Sequence, residues 1–135
     1  MTRMGFTDAI SSGFSTFTDF SGRASRSEFW WWVLFLWLVS LVAGILDHVT
    51  NLGFDDTHTF ARVQYGGWIT LVAVLILAIP TLAVTVRRLH DAGSSGWWVL
   101  MYFICCLGAL ALYIMCLRGS QSGANKYGPP PGVTA

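Results

Sequence analysis

Three long apolar runs, none containing a charged residue, constrain this chain more than any other feature. They are Phe29 to Leu46 (FWWWVLFLWLVSLVAGIL), Trp68 to Val86 (WITLVAVLILAIPTLAVTV) and Trp97 to Leu117 (WWVLMYFICCLGALALYIMCL). Each has about the 17 to 25 residues that cross a ~30 Å hydrocarbon core at about 1.5 Å per residue. Lipid offers no partner to a backbone N–H or C=O, so runs of this kind must be helices that satisfy their own hydrogen bonds. A soluble core of the same three helices fails for want of cover, because the remaining segments are too short and polar to surround them.

Composition agrees. Only 11% of residues are charged and 54% are hydrophobic, whereas a soluble domain carries about a quarter charged residues to face water. The expected fold is an all-α membrane protein with three transmembrane helices. An N-terminal interfacial segment (1–24) precedes a three-helix transmembrane domain (25–118), and a flexible Gly/Pro-rich tail (119–135) follows. No cleaved signal peptide is expected, since the first apolar run begins only at Phe29 after a long polar lead. With no basic run to neutralise a phosphate backbone, no nucleic-acid partner is expected. Cys105, Cys106 and Cys116 lie within the third run without a C-x-x-C pair, and they read as small apolar packing residues.

The ends of the runs carry local signals. Ser25-Arg26-Ser27-Glu28 has the spacing of a capping box, in which Ser25 accepts from the N–H three residues on while Glu28 reaches back. Trp30, Trp31, Trp32, Trp68, Trp97 and Trp98 open the runs, where indoles anchor helices between headgroups and acyl chains. Ser94-Ser95-Gly96 can cap the third run. Pro80 predicts a kink in the second run, because it removes a hydrogen bond and crowds the carbonyl of Ile76. Ser40, Gly44, Cys105, Gly108 and Ala109 are small residues that permit close helix approach and self-association.

Between the runs the chain is polar. Residues 3–20 place Phe6, Ile10, Phe14 and Phe17 on one helical stripe, which suits a short amphipathic helix lying in the interface or packed on the protein's own polar end. The first loop holds Asp47, His48, Asp55, Asp56 and His58. This set matches neither a calcium loop nor a tetrahedral zinc site, so it reads as solvated polarity, with no metal and no cofactor expected. The second loop, Arg87 to Gly96 (RRLHDAGSSG), is the richest in chemistry, and its glycines allow a tight reversal. With three crossings, Arg3, Arg23, Arg26, Arg87 and Arg88 share one side, while Arg62, Arg118 and Lys126 fall on the other. That excess leans the N-terminus towards the cytoplasm.

Three segments together resemble the DUF805 family of small bacterial inner-membrane proteins. They are F-x-G-R-A-S-R-x-E-F-W-W (Phe20 to Trp31), R-R-L-H-D-x-G-x-S-G-W-W (Arg87 to Trp98) and the tail Gly119 to Pro131. The tail is similar to G-x-x-G-x-N-x-Y-G-P-x-P with a slightly different gap, and the likeness runs from about Phe14 to Pro131. Cys105-Cys106 stands where the family commonly carries a proline in the third run. The resemblance implies an inner-membrane location and this fold, and it implies no activity.

The functional expectation is a non-enzymatic membrane scaffold or binding module. On it, Arg23, Arg26, Glu28, Arg87, Arg88, His90 and Asp91 form one polar network at the cytoplasmic interface. Such a network either pins the first run to the hairpin of the other two or holds an anionic lipid headgroup or a membrane-protein partner. Two alternatives are an oligomeric channel or transporter component and an interfacial enzyme using His90 and Asp91. The first is disfavoured because the runs contain no charged residue. The second is disfavoured because adjacent residues point apart and no nucleophile accompanies them.

Overall fold

The computed structural model describes residues 4–50, 67–104 and 106–131. Among these the regular elements are helical: α1 (Phe6–Ser15), α2 (Arg26–Val49), α3 (Trp68–Asp91), a 3-10 helix (Gly96–Phe103) and α4 (Cys106–Leu117). Asp55, Asp56, His58 and Arg62 lie outside the described residues. The chain forms two compact units, one from Val33–Ile79 and the other from Met1–Trp32 with Pro80–Ala135.

The Val33–Ile79 unit contains most of α2 and the first half of α3. Its outward face is apolar, with Trp37 65% and Ile76 66% exposed. In water such a face is a liability, and in lipid it is the solvent-matched surface. Asp47 is not solvated loop polarity as its sequence context predicts. It sits in the last turns of α2, fully buried. Its Oδ1 accepts from Ile69 N at 2.9 Å, and its Oδ2 accepts from Thr70 N at 2.9 Å and Thr70 Oγ1 at 2.7 Å. A helix leaves its first N–H groups without partners and carries partial positive charge there, so a carboxylate from α2 both caps and neutralises the start of α3.

In the larger unit, α1 lies against the beginning of α2. Ala9 and Gly13 form its buried face. A Cβ on Gly13 would collide with the Trp32 ring, which stacks edge-on against Phe14 with centroids 5.4 Å apart. Trp32 is therefore 1% exposed and donates from Nε1 to Thr81 Oγ1 at 3.2 Å, as a core residue rather than an interface anchor. Trp30, Trp31, Trp68, Trp97 and Trp98 are exposed. Ser25 caps α2 by accepting from Glu28 N at 3.1 Å. The carboxylate of Glu28 does not close the box; it is drawn to Ser12 and Arg87 instead.

Helix α3 runs unbroken through Pro80 to Asp91, one turn beyond the apolar run. Arg87, Arg88, His90 and Asp91 are thus helical, not loop residues. Every residue from Ala83 to Asp91 is buried, so this polar helix end is the central post of the unit. It stops in a Schellman motif: Gly93, at φ +74°, donates to His90 O at 3.0 Å, and Ser94 N donates to Leu89 O at 2.8 Å.

The third apolar run is not one spanning helix. Ser95 Oγ accepts from Trp97 N, and a 3-10 helix to Phe103 follows, longer than the usual three or four residues. Helix α4 then turns back along it. The Tyr102 and Tyr113 rings lie 6.3 Å apart, whereas a continuous helix would separate them by about 16 Å. Gly108 lies so close to the Met101 carbonyl that a Cβ would collide with it. Both ends of the run meet the end of α3. A Cβ on Gly96 would lie 2.8 Å from Val86 and 2.9 Å from His90, and Cys116 O accepts from Arg88 Nε at 3.0 Å. This is a helical hairpin that returns to where it started. Arg118 and Lys126 therefore stand at the same end as Arg23, Arg26, Arg87 and Arg88, not on the opposite side.

Two substitutions test these packings by thermal denaturation in detergent. Asp47→Ala is expected to cost about 1–2 kcal/mol through loss of the cap on α3, with Asp47→Asn intermediate. Gly108→Ala is expected to cost about 1–3 kcal/mol, because the hairpin must open to admit one methyl group.

Candidate functional site: a buried arginine–aspartate lock

The segment before α2 and the end of α3 face each other. Ala24 N donates to Arg87 O at 3.0 Å, which fixes Arg23 beside the last turn of α3. Arg23 Nε donates to Asp91 Oδ1 at 3.0 Å, and its Nη2 lies 2.9 Å from the same oxygen. Arg88 Nη1 takes the other oxygen, Asp91 Oδ2, which also accepts from Ser120 Oγ. Arg23 is 8% exposed, and Arg88 and Asp91 are fully buried.

Two guanidinium groups and one carboxylate leave an excess positive charge in a buried place. Backbone carbonyls absorb it. Arg88 reaches Cys116 O with Nε at 3.0 Å and Nη2 at 2.9 Å, and Nη2 also donates to Arg118 O. These are the unpaired carbonyls at the C-terminus of α4, the partially negative end of that helix. Arg23 spreads over the tail, with Nη2 donating to Gln121 O at 2.5 Å and Nη1 to Gly123 O at 2.7 Å. Exposed Arg26 adds a third contact to the same region, Nε to Arg118 O at 2.9 Å.

The tail, expected to be flexible, makes hydrogen bonds to the lock and to α3 as far as Gly128. Gln121 N donates to Asp91 O at 3.1 Å and Asn125 Nδ2 to His90 O at 2.9 Å, so the tail caps the last carbonyls of α3. Asn125 and Gly128 exchange backbone hydrogen bonds of 3.1 and 2.9 Å across a tight turn, and Asn125 Oδ1 accepts from Tyr127 N at 2.9 Å. That turn lays the Tyr127 ring flat on His90, with centroids 3.7 Å apart and planes 6° from parallel. His90 Nδ1 is 3.3 Å from Gly22 O and carries the proton there, because a carbonyl can only accept.

The seven predicted site residues thus gather within the larger unit, but in three groups rather than one network. Arg23, Arg88 and Asp91 form the lock, with Arg26 touching its margin. Arg87 pairs with Glu28 at 3.1 Å, and Glu28 also accepts from Ser12 Oγ at 2.8 Å, which ties in α1. His90 stands apart with Tyr127. His90 and Asp91 do not pair; the imidazole turns to Gly22 and Tyr127, the carboxylate to two arginines. Among the described residues no cluster of three or more His, Cys, Asp or Glu is placed to hold a metal ion. Beside His90 a groove of about 470 Å³ opens, lined mainly by apolar residues including Phe20, Leu82, Val86 and Trp97.

Ser12, Ser120, Gln121, Asn125 and Tyr127 were not among the sequence candidates. The Asn and Tyr of the tail motif were on the page as a pattern, without a partner to give them a role.

Two helices long and apolar enough to cross a membrane, a shorter apolar helix and a closed, charged end define a helical membrane protein. The chain belongs to the DUF805 family, described as "Protein of unknown function (DUF805)", which matches residues 17–129. It is 32% identical over 115 residues to the inner membrane protein YhaH of Escherichia coli K12, covering 85% of this chain and 88% of that protein. It is 30% identical over 115 residues to the inner membrane protein YhaI of the same organism, covering 85% and 87%. A third relative there, the uncharacterized protein YiiR, is 33% identical over 86 residues, 64% of this chain and 50% of its own length. No solved structure matches.

Asp91→Asn leaves two buried guanidinium groups sharing one neutral acceptor. It is expected to cost about 3–5 kcal/mol, read as a lowered Tm. Hydrogen exchange should show residues 121–128 losing protection in the same variant.

Proposed function

We propose that this protein is a non-enzymatic, multi-pass inner-membrane module with its charged end in the cytoplasm. In this reading α2 and α3 cross the bilayer. The third apolar run enters from the cytoplasmic side and returns to it, so both termini face the cytoplasm. The observation that carries this is the Arg23–Asp91–Arg88 lock, which ties the chain before α2, the end of α3 and the tail to one place. Arg23, Arg26, Arg87, Arg88, Arg118 and Lys126 then all count for one side, which favours the cytoplasm more strongly than three crossings would. Alone, α4 spans about 18 Å, too short for a ~30 Å core.

The lock has the features of a scaffold rather than a catalytic centre. Among the described residues its donors and acceptors are consumed by one another, and the His90 imidazole meets Gly22 O and the Tyr127 ring rather than a carboxylate. What the fold presents outward is a fixed tail and an aromatic edge, Phe14, Phe17 and Phe20, at the level where headgroups meet acyl chains.

Reporters fused at residue 135 test the topology. A green fluorescent protein fusion should fluoresce and an alkaline phosphatase fusion should be inactive. Active phosphatase at that position would mean the third run crosses after all.

A further inference from the structure

Arginine 87 uses its guanidinium differently from its neighbours. Arg23 and Arg88 each engage Asp91 and several carbonyls, whereas Arg87 has Nη1 on Glu28 at 3.1 Å. Its Nε and Nη2 are buried and have no hydrogen-bond partner among the described residues, with the side chain only 7% exposed. Nε–H and Nη2–H point the same way along one edge of the plane, at the spacing of two oxygens of a carboxylate or phosphate. Leaving both bare costs free energy, since each lost its water on burial and gained nothing.

The surroundings select the missing acceptor. One further carboxylate within the chain feels this guanidinium: the pKa of Asp19 is lowered mainly by Ser21, with a smaller contribution from Arg87. Asp19 Oδ1, however, accepts from Ser21 N at 2.9 Å and Ser21 Oγ at 2.5 Å on an exposed turn, and no hydrogen bond joins it to Arg87 among the described residues. Glu28 already serves Arg87 and Ser12. The rest of this end is rich in cations, and exposed Phe14, Phe17 and Phe20 flank the turn as membrane-inserting groups do. An anion that reaches this place from the membrane surface carries its charge on phosphate oxygens.

We infer that the Nε/Nη2 edge of Arg87 is a receptor for one phosphate ester, held by two parallel N–H bonds. The assignment rests on the reading of this end as the one at the headgroups. It deepens that reading by naming the atom pair and the ligand chemistry. A phospholipid headgroup and a free phosphate share that chemistry. Admission of either requires local give, because both nitrogens are buried.

The test uses the full chain, labelled with ¹⁵N-arginine, in micelles free of phospholipid. Phosphatidylglycerol, phosphatidylcholine and inorganic phosphate are added separately while the Arg87 Nε–H resonance is followed. A saturable shift with phosphatidylglycerol alone supports the site and identifies a lipid headgroup. A shift with inorganic phosphate as well supports it with the phosphate group sufficient. No shift with any of the three overturns it. In parallel, native mass spectrometry counts phosphatidylglycerol retained by the wild type and by Arg87→Lys, which keeps the charge but loses the paired edge. About tenfold weaker retention is expected, and equal retention overturns the inference. Should Arg87→Lys not fold, the wild-type resonance decides alone. The fusion reporters at residue 135 report separately on topology, so a failure of the topology is distinguishable from a failure of the site.

Discussion

The structure of the charged end depends on a single carboxylate. Among the described residues Asp91 is the acidic group that bridges Arg23 and Arg88, and both of its oxygens are taken. A buried carboxylate with two arginines is not a strong source of stability by itself, because the desolvation of three charges roughly offsets their attraction. Its effect is on specificity. The alternative arrangements leave a guanidinium buried beside another guanidinium, so the segment before α2, the end of α3, the end of α4 and the tail have one way to meet.

The excess positive charge explains the geometry around it. Helices α3 and α4 both end at the lock, and both present unpaired carbonyls there. Arg88 collects those of α4, while Gln121 N and Asn125 Nδ2 serve those of α3. Capping and charge compensation are thus the same set of bonds. Asp47 performs the converse task in the other unit, bringing a negative group to the positive start of α3.

How much of this was legible in the sequence differs element by element. The first two apolar runs are continuous helices, as their length and uniform apolarity predict. The third has the same length and composition, yet it folds back. What separates it from a span is the close approach of Gly108 to Met101 and the pull of Arg88 on Cys116 O, and neither leaves a mark on local composition. The charged residues were recognisable as a site, but they were assigned to a loop, since polarity after an apolar run ordinarily means the helix has reached water. Here the helix continues into a polar core. The tail's contacts were the least legible. Gly/Pro-rich composition indicates flexibility because such residues bury little side chain. This tail is held largely by its backbone carbonyls, which every sequence possesses, and the information specifying the contact resides in Arg23, about a hundred residues earlier.

That separation has a consequence for biogenesis. Arg23 emerges from the ribosome early and enters the membrane region with its charge unmatched until Asp91 arrives, and its remaining N–H groups stay open until Gln121 and Gly123 have been made. The lock therefore closes only once the chain has been translated past Gly123. A chain cut short before the tail leaves those N–H groups of Arg23 without their acceptors, so the glycine-rich end is the clasp that completes the lock.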